Sequence, residues 1–186
     1  MKTAIWMIFF CCASALAQEP SAQGDVLVGA ALRGDVSTVQ ALLADGVSAN
    51  ARSPSLPHSP LNAATLGGCK KDPDKLAKAL AVIDALLAAG ADANAVEGAG
   101  ASTLTMAAQR CPGEVVQRLL DAGGDVKHRS PQGWGPLSMA LMVKNKSSAR
   151  VLIDHGARLP PATIDKLSKK PADDPEMAEL IRRARQ

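Results

Sequence analysis

Cysteine and histidine carry the most reactive side chains of this 186-residue sequence. Their spacing matches no catalytic or metal-binding motif. The cysteines are Cys11, Cys12, Cys69 and Cys111, and the histidines are His58, His128 and His155. No Cys-x-x-Cys pair occurs, and no histidine is spaced with Cys, Asp or Glu as a metal site requires. The sequence also lacks a Gly-x-Ser-x-Gly elbow and a glycine-rich phosphate loop that ends in lysine. It therefore predicts a protein that is not an enzyme and binds no metal or cofactor.

The N-terminus predicts a signal peptide over residues 1–17. Lys2 supplies a positive charge, residues 5–10 begin an apolar stretch, and Ala15 and Ala17 are the small residues that a signal peptidase recognises. We expect cleavage after Ala17, a flexible segment over 18–24, and a periplasmic or secreted protein without membrane insertion. A retained membrane anchor is the alternative, although such a helix needs about 20 apolar residues.

Composition favours helices and disfavours two classes of partner. Alanine, leucine and valine dominate the apolar residues, tyrosine is absent, and strings of alanine and leucine are typical of helices. The 21 basic residues nearly balance the 18 acidic ones, without a block of like charge. Neither nucleic acid nor a charged membrane surface is therefore favoured as a partner.

A leucine-rich segment that ends in glycine recurs four times, over residues 42–46, 86–90, 119–123 and 152–156. Gly90, Gly123 and Gly156 follow one another at intervals of 33 residues. An alanine-containing segment precedes each copy, and a turn precedes the later three. Each unit thus predicts a short helix, a tight turn, a second helix and a glycine that ends it in the left-handed conformation. One unit alone could not bury its apolar face, so the units must stack.

The unit resembles the ankyrin repeat, which has a period of 33 residues and a Thr-Pro-Leu-His opening. Residues 90–94 (Gly-Ala-Asp-Ala-Asn) match the close of that repeat fully, and residues 46–50 match it loosely. The openings at 59–64 and 135–140 keep Pro-Leu but replace the histidine. The resemblance implies an all-α solenoid of four helix-turn-helix repeats, over about 25–52, 53–96, 97–129 and 130–159, plus a C-terminal helical cap over 160–186.

The second unit departs from this period. Gly46 and Gly90 are 44 residues apart, and most of the excess falls between the two helices of the unit, near residues 69–78. Asp72 and Pro73 form a helix start, so the second helix is expected to begin early and to run to about Ala89. We predict a purely helical array, with helices at 27–33, 37–45, 60–67, 73–89, 103–110, 114–122, 137–143, 147–155, 161–169 and 175–185.

Cys69 and Cys111 are the two cysteines that remain after signal cleavage, and we predict a disulfide between them. An oxidising compartment tends to pair an isolated couple. The repeat register places both near the end of a first helix, and irregular backbone at the insertion can bring Cys69 closer. Two buried, reduced thiols are the alternative.

The candidate binding residues follow from the resemblance to ankyrin arrays, in which first helices line a concave face and the turns before them project as fingers. On this register the concave positions are Leu32, Arg33, Leu66, Gly67, Gln109, Arg110, Met142 and Val143. The finger positions are Leu56, His58, Ala101, Gln132 and Trp134. Tryptophan is enriched among the residues that dominate binding energy. The alternative for Trp134, Met142 and Val143 is packing beneath the terminal helices.

Two functions are compatible with these residues. The first is a monomeric module that sequesters or escorts another protein; the resemblance suggests an immunity protein against a secreted toxin, or a helper of an antioxidant enzyme such as catalase. The second is a structural or assembly component at the cell envelope. The sequence does not name the partner.

Overall fold

The structure, a computed structural model, describes residues 20–69, 72–168 and 174–185. The predicted signal peptide and its predicted cleavage site lie outside the described residues. The helices are α1 (Pro20–Arg33), α2 (Val36–Ala44), α3 (Pro60–Gly68), α4 (Pro73–Ala88), α5 (Thr103–Arg110), α6 (Gly113–Asp121), α7 (Pro136–Met142), α8 (Lys146–Asp154), α9 (Pro161–Ser168) and α10 (Pro175–Arg183). Two short strands, β1 (Val96–Glu97) and β2 (Ala101–Ser102), lie between α4 and α5.

The helices form four stacked pairs and a terminal pair, so the all-α repeat architecture is confirmed. The inner helices α1, α3, α5 and α7 contact one another in chain order, and the outer helices α2, α4, α6 and α8 each pack on the inner helix of their own pair. Small residues let the inner helices approach closely. At Gly67 of α3, an added Cβ would lie 1.7 Å from the carbonyl oxygen of Leu32.

The core runs between the two layers of helices. Leu86, Leu119 and Leu152, which hold equivalent positions in the leucine segments of the last three pairs, are fully buried. Each outer helix ends at a glycine with positive φ: 84° at Gly46, and values between 82° and 85° at its three counterparts. These residues take the left-handed conformation that closes a helix end, as the sequence predicted.

The start of α4 confirms the interpretation of the insertion. The Asp72 side chain accepts hydrogen bonds from the N–H groups of Asp74 and Lys75, at 3.1 and 3.4 Å, and Pro73 occupies the first helical position. An N-cap acceptor satisfies donors that the helix itself leaves unpaired. As a result α4 has 16 residues, whereas α2, α6 and α8 each have 9.

Two expectations are corrected. The array is not purely helical, because β1 and β2 form an antiparallel pair in which Val96 lies opposite Ser102. Gly98 and Gly100, with φ of 52° and 85°, make the turn between them. In addition, α1 begins at Pro20, so residues 20–24 of the segment expected to be flexible are helical. Gly24 packs there against residue 52, whose carbonyl oxygen would lie 2.6 Å from an added Cβ.

The last two helices cover the end of the stack. Helix α10 packs on α8, and α9 contacts α7 and α10. Met177 and Leu180 are buried in this contact, with Ile181 partly buried beside them. The backbone N–H of Leu159 also donates to the carbonyl oxygen of Ala184 at 2.9 Å, which fixes α10 to the fourth pair.

Candidate functional site

The C-terminal ends of the inner helices place the predicted concave residues along one surface. We call this the inner-helix surface and define it as Leu32, Arg33, Leu66, Gln109, Arg110, Met142 and Val143. Leu32, Met142 and Val143 are exposed large apolar residues, and Arg33 and Arg110 are exposed cations. Leu66 and Gln109 are half-buried. The surface thus combines apolar contact area with positive charge.

Trp134 lies in the turn before α7, where its backbone is hydrogen-bonded to Ser130. The N–H of Ser130 donates to the Trp134 carbonyl oxygen at 2.7 Å, and the N–H of Trp134 donates to the Ser130 hydroxyl at 3.2 Å. Gly133, with φ of 83°, allows this tight turn. The Trp134 side chain is 41% exposed, and the neighbouring Gln132 is exposed as well. The turn therefore has a hydrogen-bonded backbone and presents a partly exposed indole.

The terminal helices do not cover the apolar residues of the fourth pair. Met142 is 43% exposed and Val143 is 41% exposed, values close to that of Trp134. Packing beneath α9 and α10, the alternative for these three residues, is therefore wrong. Exposed apolar side chains of this size are typical of interaction surfaces.

His58 is engaged within the protein. Its Nδ1 lies 3.0 Å from Oε2 of Glu97, and the N–H of Ser59 donates to the other oxygen of the same carboxylate. The Glu97 side chain is only 6% exposed, while that of His58 is 33% exposed. These bonds join the turn before α3 to the β1–β2 hairpin, which gives His58 a structural role in holding adjacent fingers together. Sequence reasoning missed Glu97, because only the tertiary contact identifies it.

Cys69 and Cys111 are joined by a disulfide, as predicted, with their Cα atoms 4.6 Å apart. Cys69 follows the last residue of α3, and Cys111 follows the last residue of α5. Because Cys69 lies beyond its helix, the backbone can approach more closely than packed helix axes, which are about 8–10 Å apart. The bond fixes the start of the insertion to the third pair.

Metal-ligand groups and membrane-spanning helices are two other features that could carry function in the described residues. No group of three or more His, Cys, Asp or Glu side chains among them is placed to hold a metal ion. None of the described helices has the length and apolar character needed to cross a membrane.

Comparison with known families bears on the repeat. The family model described as ankyrin repeats (3 copies) matches residues 74–161, from α4 to the start of α9. No curated protein matches the sequence. Repeats of this family generally mediate protein–protein interaction and typically have no catalytic activity of their own. The first pair of helices, which precedes the matched segment, has the same glycine stop and stacks on the second pair in the same way. From its helix pairs, glycine stops and family match, the chain is an ankyrin-repeat protein.

Proposed function

We propose that the protein is a periplasmic or secreted module that binds one partner protein and sequesters or escorts it. The observation that carries this proposal is the exposure of Trp134, Met142 and Val143 in a single repeat. Each is a large apolar side chain, and covering it with a partner would remove apolar surface from water, which favours binding. The partner would contact the fourth repeat and extend along the inner-helix surface.

The disulfide supports the proposed compartment. Structural disulfides form and persist in oxidising environments such as the periplasm and the extracellular space, and they are rare in the cytosol. Cys111 is 1% exposed, so the bond belongs to the core of the folded array. Export through the predicted signal peptide would bring the chain to such an environment.

A pull-down from periplasmic extract tests the proposal, with the Trp134→Ala variant as the comparison. The wild-type protein should retain one protein above background. Truncation of the indole should weaken that complex by about 2 kcal/mol, roughly thirtyfold in affinity. An Arg52→Ala variant, which alters an exposed residue outside both the inner-helix surface and the fourth repeat, should bind as the wild type does.

The identity of the retained protein separates the finer versions of the proposal. A toxic effector would assign an immunity role, and catalase or another antioxidant enzyme would assign an escort role. Retention of envelope components in place of a single soluble protein would instead assign a structural or assembly role. Unchanged affinity of a correctly folded Trp134→Ala variant would contradict the assignment of Trp134.

A further inference from the structure

A groove of about 540 Å³ lies at the edge of the array where inner helices end and outer helices begin. Three segments line it, and their lining residues are Cys69, Asp72, Pro73 and Leu76; residues 109–112; and Val143, Asn145 and Ser147. Its volume falls in the range of about 300–1,000 Å³ that is usual for ligand sites. The groove lies at the opposite end of the inner helices from Trp134, which precedes α7.

The insertion in the second repeat builds one wall of this groove. Pro73 and Leu76 belong to the additional N-terminal turns that make α4 longer than the other outer helices. The Cys69–Cys111 bond connects this wall to the end of α5, where Pro112 follows. Val143 contributes from the fourth repeat. The groove is therefore a feature of this chain's insertion and disulfide, and its walls are largely apolar.

Most polar groups in the groove already have partners. Asn145 donates to the carbonyl oxygens of Ala108 and Cys111, at 3.0 and 2.6 Å. The Ser147 hydroxyl accepts from the N–H of Gly113 at 3.1 Å and donates to the side-chain amide oxygen of Asn145 at 3.0 Å. The Asp72 carboxylate caps α4 and lies 3.7 Å from Nζ of Lys75. These three side chains therefore already make hydrogen bonds or an ion pair within the walls of the groove.

Arg110 and Gln109 are the exceptions. Neither side chain makes a hydrogen bond or an ion pair with another described residue, and Arg110 is exposed. A guanidinium offers a planar fork of donors that matches the two oxygens of a carboxylate. Among the described residues that line the groove, Arg110 is therefore a cation and Gln109 an amide without a partner, and the walls around them are largely apolar.

We propose that this groove binds an extended segment of the partner in which one carboxylate lies between apolar side chains. The carboxylate would pair with Arg110, and its apolar neighbours would contact Leu76, Pro112 and Val143. The inference rests on the proposed function, because Gln109, Arg110 and Val143 belong both to the groove and to the inner-helix surface. The groove and the inner-helix surface are therefore continuous, and a partner bound along the surface could extend into the groove.

A phage-displayed library of random peptides, selected on the oxidised protein, tests the proposal. The selected peptides should be enriched in Asp or Glu flanked by apolar residues. They should bind the Arg110→Glu variant at least tenfold more weakly, and Leu76→Asp should weaken them as well. Arg52→Glu is the matched control, since Arg52 is an exposed arginine outside the groove. Circular dichroism confirms that each variant is folded.

Three results would overturn the inference: no enriched peptides, enrichment without acidic residues, or equal binding to the wild-type and Arg110→Glu proteins. The result is separable from that of the proposed function. If the pull-down retains a partner whose binding depends on Trp134, but the peptides bind wild type and Arg110→Glu equally, only the groove proposal is rejected. Peptides that depend on Arg110, with no partner retained by the protein, support the groove and reject the proposed function.

Discussion

The side-chain amide nitrogen of Asn94 donates a hydrogen bond of 3.0 Å to the carbonyl oxygen of Gly123, one repeat further along the chain. Its amide oxygen accepts from the N–H of Asp125 at 2.7 Å. Asn50 makes the equivalent pair of bonds with Gly90 and Asp92, at 2.9 and 2.8 Å. The asparagine that closes each of these two repeats therefore fastens it to the glycine turn of the next.

Lys127 occupies the corresponding position in the third repeat, and this link is missing there. We predict that Lys127→Asn restores it, with bonds to the backbone of Gly156 and Arg158, and raises the free energy of unfolding by about 1 kcal/mol. Asn94→Ala should lower it by a similar amount. Urea denaturation of both variants beside the wild type measures the difference. If Lys127→Asn lowers the free energy of unfolding, an asparagine at position 127 does not form the bonds that Asn50 and Asn94 make.

The Cys69–Cys111 bond should contribute about 2–4 kcal/mol to the free energy of unfolding, since it closes a loop with a sequence separation of 42 residues. A Cys69→Ser, Cys111→Ser double variant should lose this amount in chemical denaturation. Mass spectrometry of unreduced protein should find neither thiol alkylated. Two alkylated thiols in protein freshly isolated from its compartment would contradict the bond.

Two asparagines, the buried Asn62 and the half-buried Asn145, should respond to truncation in opposite ways. Asn62 is fully buried, and neither its amide oxygen nor its amide nitrogen has a partner among the described residues. An unsatisfied buried polar group costs about 1–3 kcal/mol, so Asn62→Ala should leave stability unchanged or raise it. Asn145 binds two backbone carbonyl oxygens and caps α8, so Asn145→Ala should cost about 1–3 kcal/mol. Thermal denaturation compares them, and a larger loss at position 62 than at 145 would refute the prediction.

The docking of α10 should depend on pH. A hydrogen bond from Lys146 holds the pKa of Asp174 below its ordinary value of 3.8. The folded carboxylate therefore binds a proton less readily than the unfolded one, and its stabilising effect is present above that value and disappears as pH falls through the lower, folded pKa. Bonds to Asp174 and then Glu176 raise the pKa of Lys146, so its contribution persists until pH rises through a value above 10.5.

The Asp174→Asn variant isolates this effect. It should be less stable than the wild type in urea at pH 7, and this difference in stability should be smaller at pH 2. Glu179→Gln is the control, because Glu179 pairs with Arg182 on α10 itself and does not join α10 to α8. A difference between Asp174→Asn and the wild type that is the same at both pH values would argue against the ion pair as its cause.

The sequence predicted the parts of the fold that depend on local signals. Asp72 with Pro73 marked the early start of α4, and Gly90 marked the end of that helix, because caps and stops act within one turn. The β1–β2 hairpin was missed because its strands are two residues each, too short for an alternating pattern. The disulfide could be predicted because the only cysteines beyond the predicted signal peptide are Cys69 and Cys111, and the repeat register places both near the end of a first helix.

The candidate site was only partly accessible from the sequence. The repeat register located Trp134 and the ends of the inner helices, although exposure itself depends on what α9 and α10 cover. His58 and Glu97 are separated by 39 residues, and no local pattern connects them. The groove beside Arg110 was also missed, because its shape depends on how the N-terminal turns of α4 are placed relative to the ends of α5 and α7.

Photo-crosslinking from single positions tests most directly whether the partner occupies the inner-helix surface and the fourth repeat. A photoreactive benzoylphenylalanine replaces Trp134 or Met142 in one pair of variants, and exposed residues of the outer helices, Ala81 or Gln40, in another. In cells that export the protein, the first pair should form an adduct with one and the same partner, and the second pair should form none. Adducts from Ala81 and Gln40 alone, or from none of the four positions, would contradict the proposed mode of binding.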